Sequence, residues 1–393
     1  MSKKNIYFNS YFPYKKKNKA KIAYKKKINY HIKNTIEKIR SKNNFFEIFD
    51  KNFKLNVKLN DLNKYKKFKR IIIIGIGGSI LGTEASNNFL KGKIKKDVFF
   101  LDNLDPYIIK DICNLKNLRK SLFIIISKSG NTLEVSTIIS ALKLKAKFNK
   151  NNTLVITENK NSRIFSFAKK NKIRIVYHRK YVGGRYSIFS ETALIPCYLM
   201  GINIIKIRKK ISYYLFKNKN TLIENLFNME RIYKLKKIKS LILLSYCPGI
   251  EYFLLWCQQL IAESLGKKGK GILPVISIAP RDNHSLLQLF LDGPKDKFYY
   301  IFSTSKKNSF IYRILHKQKT AMISILKNKK LPYLSLDIKD KDEETLGELF
   351  SYFIFETIFI SKSLGVNPFD QPAVEQLKIL TKKYLLKTAK YNL

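Results

Sequence analysis

The sequence predicts an α/β protein made of two doubly wound parallel sheets with helical extensions at both ends, and three observations carry that prediction. Short apolar, β-branched runs alternate with helix-length segments from residue 70 onward, the pattern of strand, crossover helix and parallel strand. The runs are apolar without alternation, as strands covered on both faces are. They fall into two sets divided by a helix-rich bridge at residues 190–235, and 393 residues is a length suited to about two domains plus extensions.

Taken in order, residues 1–65 are rich in Lys and Asn, with weak helical periodicity from Ile32 to Phe49, and predict a helical lead-in. The first strand set is Ile71–Gly75, Val98–Leu101, Leu122–Ser127, Leu154–Thr157 and Ile173–Tyr177. The second is Leu241–Ser245, Leu273–Ile276, Phe298–Ser303 and Tyr333–Leu336. A helix from Thr345 to Leu364, a turn from Gly365 to Pro372 and a last helix to about Thr388 close the chain. The expected divisions are 1–65, 66–205, 206–365 and 366–393.

The charge balance is extreme, 77 Lys+Arg against 28 Asp+Glu for a net +49, which raises nucleic acid as a partner. The lysines are spread over the whole chain, and no zinc-ligand spacing or basic-aromatic repeat accompanies them. The excess fits a general drift toward Lys, Ile, Asn, Phe and Tyr, and no specific nucleic-acid partner is expected. The four cysteines, Cys113, Cys197, Cys247 and Cys257, show no C-x-x-C spacing and read as small hydrophobes in a reducing compartment. Apolar runs such as Ile71–Ile76 and Phe353–Ile360 are too short to span a bilayer, and the second contains Glu356. The basic N-terminus lacks a secretory apolar core, so the expected location is cytoplasmic, with an organelle transit peptide as the alternative.

The most informative stretch is Ser121–Thr137, SLFIIISKSGNTLEVST. An apolar strand breaks into a polar turn of Ser127, Lys128, Ser129, Gly130, Asn131 and Thr132, and a helix follows. Three hydroxyls, one ammonium and the free amides of a helix N-terminus suit a dianionic phosphate. The plainer alternative is an N-cap by Ser129 or Thr132. In the first strand-to-helix turn, IIIIGIGGSILG, Gly75, Gly77 and Gly78 allow close backbone approach, and Ser79 adds a hydroxyl. The spacing is not G-x-G-x-x-G. Asp102 on the next strand keeps a dinucleotide-binding dehydrogenase as an alternative, although SKSGNT has no place in that fold's logic.

Four further stretches concentrate polar residues: GGRYS (Gly183–Ser187), QQLIAESLGKKGKG (Gln258–Gly271), RDNHSLLQLFLDGP (Arg281–Pro294) and NPFDQPAVEQLK (Asn367–Lys378). With GIGGS and SKSGNT, and in that order, they resemble the glucose-6-phosphate isomerase family over about residues 65–385. The resemblance implies two sugar isomerase domains, a homodimer, no metal or organic cofactor, and exchange of glucose 6-phosphate with fructose 6-phosphate through a cis-enediol.

By the same resemblance, Ser127, Lys128, Ser129 and Thr132 bind phosphate, Gly78, Ser79 and Gly184 line the sugar, and Gln371 helps fix the phosphate end. Arg185 stabilises charge on the enediol oxygens; its plainer reading is a salt bridge, which the preceding Gly-Gly disfavours. Glu263 carries the proton between C1 and C2, a role typically worth roughly 10²- to 10⁴-fold; its plainer reading is an i,i+4 pair with Lys267. His284, contributed by the neighbouring subunit, opens the sugar ring, with Lys378 on a C-terminal helix returning to the site; a lysine there is otherwise solvent-facing. His31, His178 and His316 lack any such setting. Asn283 departs from the family's Gln by one methylene less, and Ala373 and Leu377 replace two glycines, adding bulk where a tight turn or close helix approach is expected. Asn131 and Leu133 replace threonines, while Thr132 and Glu134 are kept. A non-catalytic sugar-phosphate sensor and an isomerase of another sugar phosphate, such as mannose 6-phosphate, are the competing readings.

Overall fold

In the computed structural model, which describes residues 4–14, 18–305 and 308–387, the chain opens on a strand, β1 (Ile6–Tyr11), and then a long helix, α1 (Asn18–Arg40). The lead-in is therefore not wholly helical. The helix lies earlier than the periodicity over Ile32–Phe49 implies, because Phe45–Phe49 forms a separate 3₁₀ turn capped by the Asn44 side chain. Strand β1 is short and polar on its outer face, so its local signal is weak; its stability comes from pairing antiparallel to a sheet edge, with Ile6 opposite Ile338.

The first sheet consists of β2 (Arg70–Ile74), β3 (Asp97–Leu101), β4 (Leu122–Ile126), β5 (Thr153–Thr157) and β6 (Arg174–Tyr177), all parallel in the order β3-β2-β4-β5-β6. Its crossovers are α2 (Leu81–Phe89), α3 (Pro106–Asn114), α4 (Leu133–Ala146) and α5 (Arg163–Lys170). A bridge of α6 (Glu191–Met200), α7 (Ile204–Arg208), α8 (Tyr213–Phe216) and α9 (Lys219–Lys234) leads to the second sheet. There β7 (Ser240–Ser245), β8 (Leu273–Ile278), β9 (Lys297–Thr304) and β10 (Tyr333–Ile338) are parallel, and the order is β1-β10-β9-β7-β8. Helices α10 (Glu251–Leu265), α11 (Leu287–Asp292) and α12 (Phe310–Asn328) connect them, and α13 (Glu343–Leu364) and α14 (Pro372–Lys387) follow. The expected end of the last helix at Thr388 lies outside the described residues.

Each strand divides its side chains between two cores, as the two-residue period requires. Ile71 and Ile73 of β2, with Leu241 and Leu243 of β7, join one large core shared by both sheets. Ile72 and Ile74 face a second core under α3 and α4, and Ile242 and Leu244 face a third under α12. Helix α13 is mostly apolar and is buried along nearly its whole length, within the shared core. Among the described residues no helix is long and apolar enough to cross a membrane. In both sheets the first strand of the set sits between the next two, so the chain leaves it in opposite directions and opens a crevice at the strands' carboxyl ends.

Candidate active site

At the carboxyl end of β4 the chain turns through the predicted anion loop. The Ser127 and Thr132 hydroxyls lie 2.7 Å apart, the Gly130 amide donates to Ser127 Oγ and the Asn131 amide to Ser129 Oγ. Gly130 has φ +67, and a Cβ there would lie 2.0 Å from Ser162 Oγ, so only glycine closes this turn. Thr132 precedes α4, but its hydroxyl makes no capping bond; it is held by Ser127 instead, and the loop is not built as an ordinary N-cap. The Lys128 carbonyl accepts the Glu158 amide at 3.1 Å, and Lys128 Nζ stands 3.8 Å from Glu158 Oε1. Burial holds the Lys128 ammonium below its usual range; Glu158 opposes this, while the charges of Lys160 and Arg185 add to it. The charge of Arg185 is thus felt at the anion loop.

Arg185 is set by backbone contact between two glycine turns. A Cβ on Gly78 would fall 2.3 Å from Arg185 N and 2.4 Å from Gly184 C, so Gly77–Ser79 and Gly183–Arg185 touch main chain to main chain. From the other side, Trp256 Nε1 of α10 donates to the Arg185 carbonyl at 3.0 Å. The guanidinium is 3% exposed, and all five of its N–H groups have acceptors. Nε donates to Ser264 Oγ at 2.9 Å; Nη1 donates to Glu263 Oε2 at 2.7 Å and Gln371 Oε1 at 2.9 Å; Nη2 donates to the carbonyls of Pro368 and Asp370 at 2.5 and 3.0 Å.

Glu263 is held at both oxygens. Gln259, one helical turn earlier, donates to Oε1 at 3.0 Å while Arg185 takes Oε2. The salt bridge that was the plainer reading of Arg185 does exist, and its partner is the candidate base. The i,i+4 pairing of Glu263 with Lys267 does not form. Lys267 turns instead to the segment after α13, donating to the Asn367 carbonyl, the Asp370 carbonyl at 2.6 Å and Asp370 Oδ1 at 2.7 Å. Arg185 and Lys267 together fasten the 367–371 turn over the cleft, and Gln371 arrives at Arg185.

Lys378 and His284 are not part of this cluster. Lys378 lies on the exposed face of α14 and pairs with Glu375 at 2.7 Å, so it is Gln371 and the 367–371 turn, not the helix's lysine, that reach Arg185. Ala373 and Leu377 are exposed on the same helix, and their added bulk meets no tight turn. His284 ends a 3₁₀ turn after β8, exposed, with no side-chain hydrogen bond to the described residues. Among the histidines without a catalytic setting, His178 is buried, with Nε2 3.0 Å from the Val182 carbonyl.

Three residues of the site went unread in the sequence. Gln259 carries a usable signal, since Gln259 and Glu263 stand i,i+4 and share a helix face. Glu158 and Lys267 carry none, because each acts on a segment remote in the chain. Among the described residues no three His, Cys, Asp or Glu side chains converge as a metal site requires.

Comparison with known proteins places the chain among its relatives. The sequence profile of the family described as phosphoglucose isomerase matches residues 22–269. The chain is 33% identical over 353 residues to the glucose-6-phosphate isomerase of Methanocaldococcus jannaschii, covering 81% of this chain and 85% of that relative. It is 30% identical over 353 residues to the glucose-6-phosphate isomerase of Campylobacter jejuni, with the same coverage, 81% and 85%. In fold it is similar to a hypothetical protein from Thermus thermophilus, with TM-score 0.82, 21% identity and coverage of 96% of this chain and 100% of that one. A glucose-6-phosphate isomerase structure from Chlamydia trachomatis gives TM-score 0.72 at 20% identity, over 84% of this chain and 72% of that one.

Proposed function

This chain belongs to the phosphoglucose isomerase family, and from that membership we propose how its own residues carry the reaction. It is an aldose–ketose isomerase that interconverts glucose 6-phosphate and fructose 6-phosphate, in glycolysis and gluconeogenesis. The hydroxyls of Ser127, Ser129 and Thr132, the Lys128 ammonium and the first amides of α4 receive the phosphate. Gly78, Ser79 and Gly184 line the sugar, on two turns that pack main chain to main chain. Glu263 takes the proton from C2 of the open aldose; the C–H electron pair enters the C1–C2 bond, and negative charge passes to O1. The O2 proton moves to O1 and Glu263 returns its proton to C1, which gives the ketose.

Arg185 meets the enediolate as its charge grows. Its five donors already have acceptors in the free protein, so an approaching anionic oxygen takes the place of a neutral one, with Gln371 Oε1 the side-chain acceptor able to yield. An N–H shared with an anion is stronger than one shared with an amide, so the exchange favours the transition state over the ground state. Ring opening falls to His284, with Lys378, which α14 holds outside the cluster in the free chain, assisting at the ring oxygen. Because His284 is exposed and outside its own subunit's cluster, it serves the site of a second copy, and the enzyme acts as a homodimer. The four cysteines form no disulfide, which suits a reducing cytoplasm.

The observation that carries this reading is Glu263 at 2.7 Å from Arg185, whose backbone is seated against the Gly77–Ser79 turn. In a coupled fructose 6-phosphate assay, Glu263→Gln lowers turnover by about 10² to 10⁴ or more. Turnover unchanged in that variant removes Glu263 from the mechanism.

A further inference from the structure

Away from the catalytic cleft, residues 51–59 and the corner between α6 and α7 enclose a cavity of about 720 Å³. Residues 53–58 run without regular structure into the 3₁₀ turn that Leu59 opens, with Phe53, Leu55, Val57 and Leu59 half-buried against the shared core and Lys54, Asn56 and Lys58 exposed between them. Leu194 and Ile204 complete the apolar floor, and Ile205 stands at its lip, 76% exposed. The wall carries five cations, Lys51, Lys54, Lys58, Arg208 and Lys209, and no carboxylate. Lys209 is paired with Glu344.

Arg208 differs from a surface lysine. It donates to the carbonyls of Ile48, Phe189 and Asp50 at 2.9, 3.1 and 2.7 Å, all neutral acceptors. Of the carboxylates near it, Asp50 and Glu191, the second is already bonded to Arg179. Its guanidinium also lies 4.9 Å from the centre of the Phe53 ring, with that of Arg179 at 4.4 Å. A fixed positive charge with neutral partners, beside an open apolar floor, is complementary to a molecule with an anionic head and an apolar body.

The cavity wall is also tied to the segment that carries Arg185. Phe189, which accepts from Arg208, ends the turn that begins at Gly184, and Glu191 just beyond accepts the Asn56 amide at 3.0 Å. Arg179 joins Glu191 to the Lys54 carbonyl. We propose that this cavity binds a small amphipathic organic anion, and that its occupancy alters the setting of Arg185.

The probe is 1-anilinonaphthalene-8-sulfonate, titrated by fluorescence into the full chain at physiological salt, with saturating fructose 6-phosphate to keep the dye from the phosphate loop. One saturable site is expected. Ile205→Glu places a carboxylate at the lip and weakens it by about ten-fold or more. Phe310→Glu, in a separate apolar cavity of about 470 Å³, leaves it intact. Bound dye lowers kcat in the parent protein and not in Ile205→Glu, whose basal turnover and circular dichroism match the parent's because Ile205 is exposed. A titration unmoved by Ile205→Glu, or abolished by Phe310→Glu, overturns the site; dye that binds without changing kcat overturns the coupling to Arg185. The binding arm needs no turnover, so its failure is distinguishable from a failure of the isomerase reading.

Discussion

Arg185 is the residue on which the site's geometry turns, and its planar fork matters as much as its charge. Five N–H groups reach five acceptors on α10 and the 367–371 turn, an arrangement that the three donors of an ammonium do not reproduce. Arg185→Lys therefore keeps the charge and loses the arrangement, and kcat is expected to fall by about 10²- to 10³-fold with a smaller change in KM. Steady-state kinetics on both sugar phosphates check this, and a change confined to KM contradicts it. Arg185 and Glu263 were legible because each stands inside a compact motif. Gln259 stood in one of the same motifs and was passed over, although its spacing from Glu263 announces a shared helix face. Lys378 is the opposite case: motif order marks the residue, but the direction of an exposed helix is decided by what packs on it, and within one chain α14 packs on little.

At the scale of elements, the buried strands were readable to within about two residues, the ordinary precision of such boundaries. β1 was not, because six residues containing Asn and Ser become a strand only when an existing edge supplies their hydrogen bonds. Helix α13 shows how burial rewrites a side chain's chemistry. Glu356 accepts hydrogen bonds from the Tyr300 and Tyr352 hydroxyls at 2.5 and 2.9 Å. Burial nevertheless pushes its carboxyl from 4.5 up to about 7, against the opposing effect of those two bonds. The folded protein therefore keeps a proton that the unfolded chain releases from about pH 4.5 upward. Its contribution is whole below that pH and is lost as pH rises through about 7, a change of roughly 3 kcal/mol. Urea denaturation of the parent protein and Glu356→Gln between about pH 5 and 8 is expected to show a shallower fall in the variant. Parallel curves would mean that Glu356 is ionised in the core throughout.

At the scale of the whole molecule, one core joins both sheets, and the site lies where α10, entering from the second sheet, meets the glycine turns and anion loop of the first. The assembly has a test of its own. If His284 serves the other copy's site, Glu263→Gln and His284→Ala proteins, each inactive, regain roughly a quarter of parental activity after mixing and subunit exchange, because half the dimers are mixed and each holds one intact site. No recovery, with exchange verified by mass spectrometry, makes each site self-contained. The net charge of +49 also acts at this scale. Retention on immobilised duplex DNA at low salt is expected to vanish near 150 mM salt, about the physiological value; retention persisting there would point to a dedicated nucleic-acid surface.

By itself the sequence determined the two parallel sheets and marked the candidate anion loop, Arg185 and Glu263, since strand period, turn chemistry and motif order are local properties that survive without a fold. Only the tertiary structure decided that Glu263 bonds to Arg185 instead of Lys267, that Lys267 and Arg185 grip the 367–371 turn, and that burial raises the Glu356 carboxyl. Those outcomes depend on which charges are brought within a few ångströms of one another and removed from water, and distance through space is not written in spacing along the chain.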